Sequence, residues 1–95
     1  MKKNIVIFLM DQLTWKELPA YGNSFIQTPN IDRIAEEGFL IDGCYTACPL
    51  CQPSRAAFWT GRYPHETGVL SNGEKWPEKG ISEELPTLGE TFSQA

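Results

Sequence analysis

Histidine is nearly missing from this sequence: His65 is the only one, and it stands late in the chain with no partner at zinc-finger spacing. A structural zinc centre would therefore be short of a ligand. Basic charge is scarce as well. Lys and Arg number 8 against 12 Asp and Glu, the formal net charge is −4, and the basic residues are scattered singly. That pattern argues against a nucleic-acid partner. Long apolar runs are absent too, since the run from Ile5 to Met10 is broken at Asp11, far short of the ~20 residues of a membrane span. Two lysines precede that run as in a secretory leader, but no small-residue cleavage site follows, so a cytoplasmic protein without membrane contact is expected. Cysteines number 3, an odd count that argues against a disulfide scaffold.

What is there reads as the beginning of an α/β domain. A chain of 95 residues lies in the single-domain range and buries roughly 60–70% of its unfolded surface. Ile5 to Met10 is continuous and rich in β-branched residues, which predicts a central parallel strand, buried on both faces and ending at Asp11-Gln12. Thr28 and Pro29 then open a short helix, with Thr as cap, Pro at the first helical position, Ile31, Ile34 and Ala35 on one face, and Gly38 as the stop. Phe39-Leu40-Ile41 predicts a second strand leading into the cysteines. Pro53 suits the first position of another helix, running through Ser54 to Thr60 and closed by Gly61, with Cys51 and Gln52 at its N-terminus. The stretch from Arg62 to Ser82, rich in Gly, Pro and charge, predicts a long ordered loop around Trp76. Leu85, Leu88 and Phe92 share one face of a last helix. Two short strands are too little sheet for parallel pairing, so the chain reads as the N-terminal piece of something larger.

The three cysteines crowd into Gly43-Cys44-Tyr45-Thr46-Ala47-Cys48-Pro49-Leu50-Cys51. Their C-x3-C-x2-C spacing is similar to the cluster loop of radical S-adenosylmethionine enzymes, where three thiolates hold three irons. Leu50 stands where that family has an aromatic residue, and no glycine-rich cofactor strand follows. Taken singly, Cys44 and Cys48 read as small hydrophobes, Cys44 ending a strand and Cys48 packed beneath the loop. Cys51 differs because of its successors: Cys51-Gln52-Pro53-Ser54-Arg55 matches the pattern C-x-P-S-R.

That pentapeptide resembles the signature of the sulfatase family, in which the cysteine is oxidised after translation to formylglycine. Other segments agree in order and spacing. Asn4 to Gln12 resembles the family's first strand with its metal-binding acidic end, Thr28-Pro29-Asn30-Ile31-Asp32 its first helix, and Thr60-Gly61-Arg62-Tyr63-Pro64-His65 with Gly68-Val69 the stretch after the signature. The resemblance implies an alkaline phosphatase-like sheet sandwiched by helices, of which residues 1–95 form an incomplete N-terminal segment of the catalytic domain. It implies a sulfuric ester hydrolase, with Cys51 and Arg55 catalytic and with Asp11, Gln12 and Cys51 on a divalent metal. Ca²⁺ comes first, with Mn²⁺ or Mg²⁺ as alternatives, because the donors are hard oxygens. The partners implied are a small-molecule sulfate ester and a formylglycine-generating maturation enzyme.

The chemistry asks for these residue types. An aldehyde at position 51 hydrates to a geminal diol, one oxygen of which can attack sulfur and expel the alcohol. Deprotonating the other hydroxyl reforms the carbonyl and releases sulfate without water attacking sulfur. A cation beside the diol lowers its pKa, a helix N-terminus favours the anionic ester, and Arg55 supplies a charge that never titrates. Gln12 departs from the adjacent aspartate pair of most sulfatases and resembles the choline-sulfatase and phosphonate monoester hydrolase branch. A phosphonate monoester or phosphodiester is therefore the alternative substrate, and a Cys44/Cys48/Cys51 iron–sulfur protein the alternative of another class.

Blander readings stand beside each of these. Asp11 could be a turn residue after a strand, and Arg55 a surface helix residue paired with an acid. His65 suits a loop hydrogen bond in its Tyr-Pro-His-Glu turn, since the family's catalytic Lys and His belong to segments beyond position 95. Trp15, Trp59 and Trp76 read as packing, with Trp15 a candidate for lining a substrate pocket. Lacking those later segments, the isolated chain is expected to be inert, to expose sheet edges and helix faces, and to self-associate.

Overall fold

The computed structural model describes residues 3–73 and 80–95. Trp76, expected to pack within its loop, lies outside the described residues. Two compact units divide the chain, residues 1–43 and 44–95.

In the first unit, the described residues before Thr14 form no regular element. Ile5 to Met10 lie open to solvent, with Val6 and Phe8 about three-quarters exposed (73% and 74%). The predicted strand is therefore not formed, and neither is the one at Phe39-Leu40-Ile41, where Phe39 is 97% exposed. Among the described residues there is no strand at all. The reason is that a parallel strand takes its hydrogen bonds from neighbours on both sides, and two short runs cannot supply each other with a sheet. The described residues are thus helical, and the two strands expected from the sequence are not formed among them.

Two single 3-10 turns come first, Trp15–Glu17 and Pro19–Tyr21. Asn23 ties them together, its Nδ2 donating to the Lys16 carbonyl at 2.8 Å while its Oδ1 accepts the Phe25 N–H at 2.8 Å. Trp15 meets Tyr21 edge-on at 5.8 Å, and the Tyr21 hydroxyl donates to the Ile41 carbonyl at 2.7 Å. Helix α1, Pro29–Glu37, begins at its proline as the sequence predicts. Thr28 occupies the cap position without capping the backbone; its hydroxyl donates instead to Asp32 Oδ1 at 3.1 Å. Ile31 and Ala35 are half-buried on the inner face, whereas Ile34 is 62% exposed. Arg33 and Glu37 approach at 3.9 Å in full exposure, a pair that contributes less than about 0.5 kcal/mol. Burial of Ile31 and Ala35, rather than that ion pair, holds the helix.

The second unit contains the buried side chains of the described residues: Pro53, Ala56, Ala57 and Thr67. Three of them lie on helix α2, Cys51–Thr60, against which pack α3, Pro64–Thr67, and α4, Leu88–Ser93. Small side chains at 53, 56 and 57 give α2 a flat face that neighbours can approach closely. Gly61 ends the helix in the left-handed conformation at φ 66°, its N–H donating to the Ala57 carbonyl at 2.8 Å, which is the closure the sequence predicts. Helix α3 lies inside the stretch expected to be loop, opened by Pro64 and stopped by Gly68 at φ 76°. Helix α4 leaves Leu85 outside its bounds, so the last helix is shorter than the apolar spacing suggested. Among the described residues no helix is long and apolar enough to cross a membrane.

Candidate functional site

Cys51 is the first residue of α2, not a residue preceding it. The sequence places the helix start at Pro53, but proline is equally at home at the third position, because the N–H it lacks would have no intrahelical partner there. The first turn closes through the Ser54 N–H, which donates to the Leu50 carbonyl at 2.9 Å. Leu50 is extended, at φ −121° and ψ 141°, and its side chain caps nothing. The Gln52 N–H donates to Asn72 Oδ1 at 2.8 Å. Cys51 itself is solvent-exposed.

A second tie fixes the loop that delivers the chain to Cys51. Thr46 Oγ1 donates to the Cys48 carbonyl at 2.8 Å and lies 2.8 Å from Ser54 Oγ. A hydroxyl has one proton. With that of Thr46 on Cys48, the Ser54 hydroxyl is the donor to Thr46. Ser54 of the C-x-P-S-R pattern thus spends its side chain on the incoming loop. Arg55 is half-buried and four residues beyond Cys51, a spacing that puts Cβ atoms about 5–6 Å apart on one helix face. The structure therefore brings Cys51 and Arg55 to one face and end of α2.

The other two thiols differ. Cys44 is exposed, Cys48 half-buried, and all three cysteines are free. Cys44 ends no strand, since none forms among the described residues. Among the described residues no three His, Cys, Asp or Glu side chains lie together as a metal would require. Cys44, Cys48 and Cys51 form no such group in this structure.

Asp11 and Gln12 are exposed in the first unit, directly after the apolar run. Gln12 adopts φ 57°, alone among the described non-glycine residues in being left-handed, a conformation uncommon outside glycine. Their donors are a carboxylate and an amide carbonyl on adjacent residues, hard oxygens that fit Ca²⁺, Mg²⁺ or Mn²⁺. Asp11 and Gln12 belong to the first unit and Cys51 to the second.

His65 stacks on Tyr63 with ring centres 5.9 Å apart. The hydrogen bonds of its turn are made by its neighbours. Glu66 accepts the Tyr63 N–H at 3.0 Å and the Arg62 guanidinium at 3.2 Å, and these bonds hold its carboxyl below the ordinary glutamate range. Trp59 meets Phe58 edge-on at 5.2 Å while staying 40% exposed, so it packs only in part.

Two residues that the sequence reading passed over complete the site's frame, Thr46 and Asn72. Thr46, two before Cys48, could have been found as a side-chain turn. Ser71-Asn72-Gly73 signals a turn too, but nothing in it points to a helix start 20 residues earlier.

Comparison with known proteins gives this geometry a context. Residues 3–95 match the family model described as Sulfatase. The chain is 42% identical over 94 residues to the Delta 4,5-hexuronate-2-O-sulfatase of Bacteroides thetaiotaomicron, covering 99% of this chain and 20% of that protein. It is 43% identical over 98 residues to arylsulfatase H of Canis lupus familiaris, covering 98% of this chain and 17% of the relative. With the N-acetylgalactosamine-6-sulfatase of Sus scrofa it shares 52% identity over 68 residues, 72% of this chain and 13% of the relative. The chain thus spans a fifth or less of the length of these curated relatives. No solved structure matches it.

Proposed function

This chain belongs to the sulfatase family, and from that premise we propose that its protein is a sulfuric ester hydrolase whose nucleophile is borne on Cys51 after oxidation to formylglycine. The observation that carries the reading is the placement of Cys51, exposed and first in α2, with Arg55 one turn along the same face. Formylglycine supplies an aldehyde whose hydrate holds both an attacking oxygen and a second hydroxyl for releasing sulfate. A divalent cation, when bound, offsets negative charge and lowers the pKa of an oxygen nucleophile, and Asp11 and Gln12 are the residues of this chain that would hold it. Arg55 binds a sulfate oxygen with a permanent charge. The first turn of α2 favours an anion beside residue 51, because the helix dipole presents its positive end there. The family implies an alkaline phosphatase-like α/β fold, in which Ile5 to Met10 would gain the neighbouring strands they lack here.

Two of the relatives carry sugar sulfates in their names, a hexuronate and an N-acetylgalactosamine, so a sulfated saccharide is the substrate class to try beside an aryl sulfate. Gln12 favours a second reading. With Asp11 it resembles the metal pair of the choline-sulfatase and phosphonate monoester hydrolase branch, which makes a phosphonate monoester or phosphodiester the alternative substrate. The test is a comparison of kcat/KM on an aryl sulfate, a sulfated sugar and an aryl phosphonate, using the protein at full length made with a maturation enzyme. Preference for the sulfates is expected, and Cys51→Ala should abolish the activity. Preference for the phosphonate would favour the second reading, and hydrolysis of none of them would overturn both.

A further inference from the structure

We propose that Asn72 is a positioning residue for the side chain of position 51, acting through the peptide bond between Cys51 and Gln52. The proposal rests on the reading of Cys51 as the bearer of the nucleophile. A helix start presents N–H groups without intrahelical partners, and a Ser, Thr, Asn or Asp at the cap position ordinarily takes one of them. Here that position is Leu50, whose side chain can accept nothing. Asn72 supplies the missing cap from elsewhere, its Oδ1 accepting the Gln52 N–H at 2.8 Å across 20 residues of sequence.

The choice of amide matters. The Gln52 N–H lies in the rigid plane of the peptide bond that begins at the Cys51 carbonyl. Holding that plane holds ψ of residue 51, and with it the direction in which its side chain leaves the helix. Thr46 acts one turn later, on the Ser54 hydroxyl, and leaves this peptide to Asn72. A small misplacement of a reacting group is costly to rate while leaving binding largely intact, so the loss should fall on kcat.

The experiment compares Asn72→Ala with Asn72→Asp, which keeps an oxygen acceptor, in the matured protein at full length. Amide hydrogen exchange at Gln52 and the separate kcat and KM for an aryl sulfate are the readouts. In Asn72→Ala, exchange at Gln52 should quicken about tenfold and kcat should fall about tenfold, with KM within about twofold. The Gly61 amide, bonded to Ala57 at the other end of the helix, should keep its protection, and Asn72→Asp should restore both readouts. Unchanged exchange at Gln52 overturns the proposal. So does a rise in KM at constant kcat, which would put Asn72 in substrate binding, or a restored amide without restored kcat. If the unsubstituted protein hydrolyses no ester, the functional reading fails, while the exchange measurement still decides whether Asn72 holds this peptide.

Discussion

Gly38 ends the first helix for want of room. Its φ of −121° is open to other residues, but a Cβ built there would stand 2.9 Å from the Ile34 carbonyl oxygen, closer than real contacts allow. Gly38→Ala should therefore destabilise the protein by about 1–3 kcal/mol, the usual cost of an added methyl without space, and a denaturant titration of the full-length variant would show it. A midpoint equal to that of the parent would mean that the carbonyl moves aside freely. As stops, Gly38 and Gly61 were both legible in the sequence, although the two work for different reasons. Thr28 shows the opposite case. Its type and place suited a backbone cap, yet its hydroxyl bonds Asp32, because a threonine beside an acid four residues on has two acceptable uses. Asn72 was not legible, since its partner lies 20 residues away and only the fold brings them together.

At the scale of elements, signals that begin and end helices were more readable than the elements' partners. Proline at the start and glycine past the end located α1, and the same pair, Pro64 and Gly68, marks α3 within a stretch whose composition reads as loop. Helix α4 is held by a capping box. The Thr87 N–H donates to Glu90 Oε2 at 2.7 Å, the Thr87 hydroxyl to the same oxygen at 2.8 Å, and the Glu90 N–H returns to Thr87 Oγ1 at 3.3 Å. These bonds favour the ionised carboxylate and hold its pKa down. The sign follows directly. A group whose folded pKa is depressed lends its stability in full above the unfolded value, about 4.3 for glutamate, and loses it as pH falls through the folded value. The α4 start should therefore be insensitive to pH from neutrality down to about 5 and loosen only at or below about 4. The Thr87 amide resonance, followed by NMR, should move in that low window, and Glu90→Gln should abolish the movement. Movement centred near neutrality would assign it to another group. Strands, by contrast, were predicted from runs of apolar residues, and such runs specify burial rather than pairing. Ile5 to Met10 meets the pattern without partners and stays irregular and exposed.

For the whole molecule, the buried side chains of the described residues all belong to the segment that carries Cys51, while residues 3–13 leave a continuous apolar stretch in water. Surfaces of that kind ordinarily mark contact with something else. The curated relatives are about five times as long as this chain or longer, which explains why family membership was readable here while a sheet was not. Motifs such as C-x-P-S-R are local, and a sheet is shared among distant segments. The central claim is that one cysteine of three is chemically special, and peptide mass spectrometry across Cys44 to Arg55 tests it most directly, on protein made in cells with an active maturation system. The account predicts an aldehyde mass at Cys51 with Cys44 and Cys48 still alkylatable thiols. Three alkylatable thiols, with the maturation system shown to work on another substrate, would contradict it.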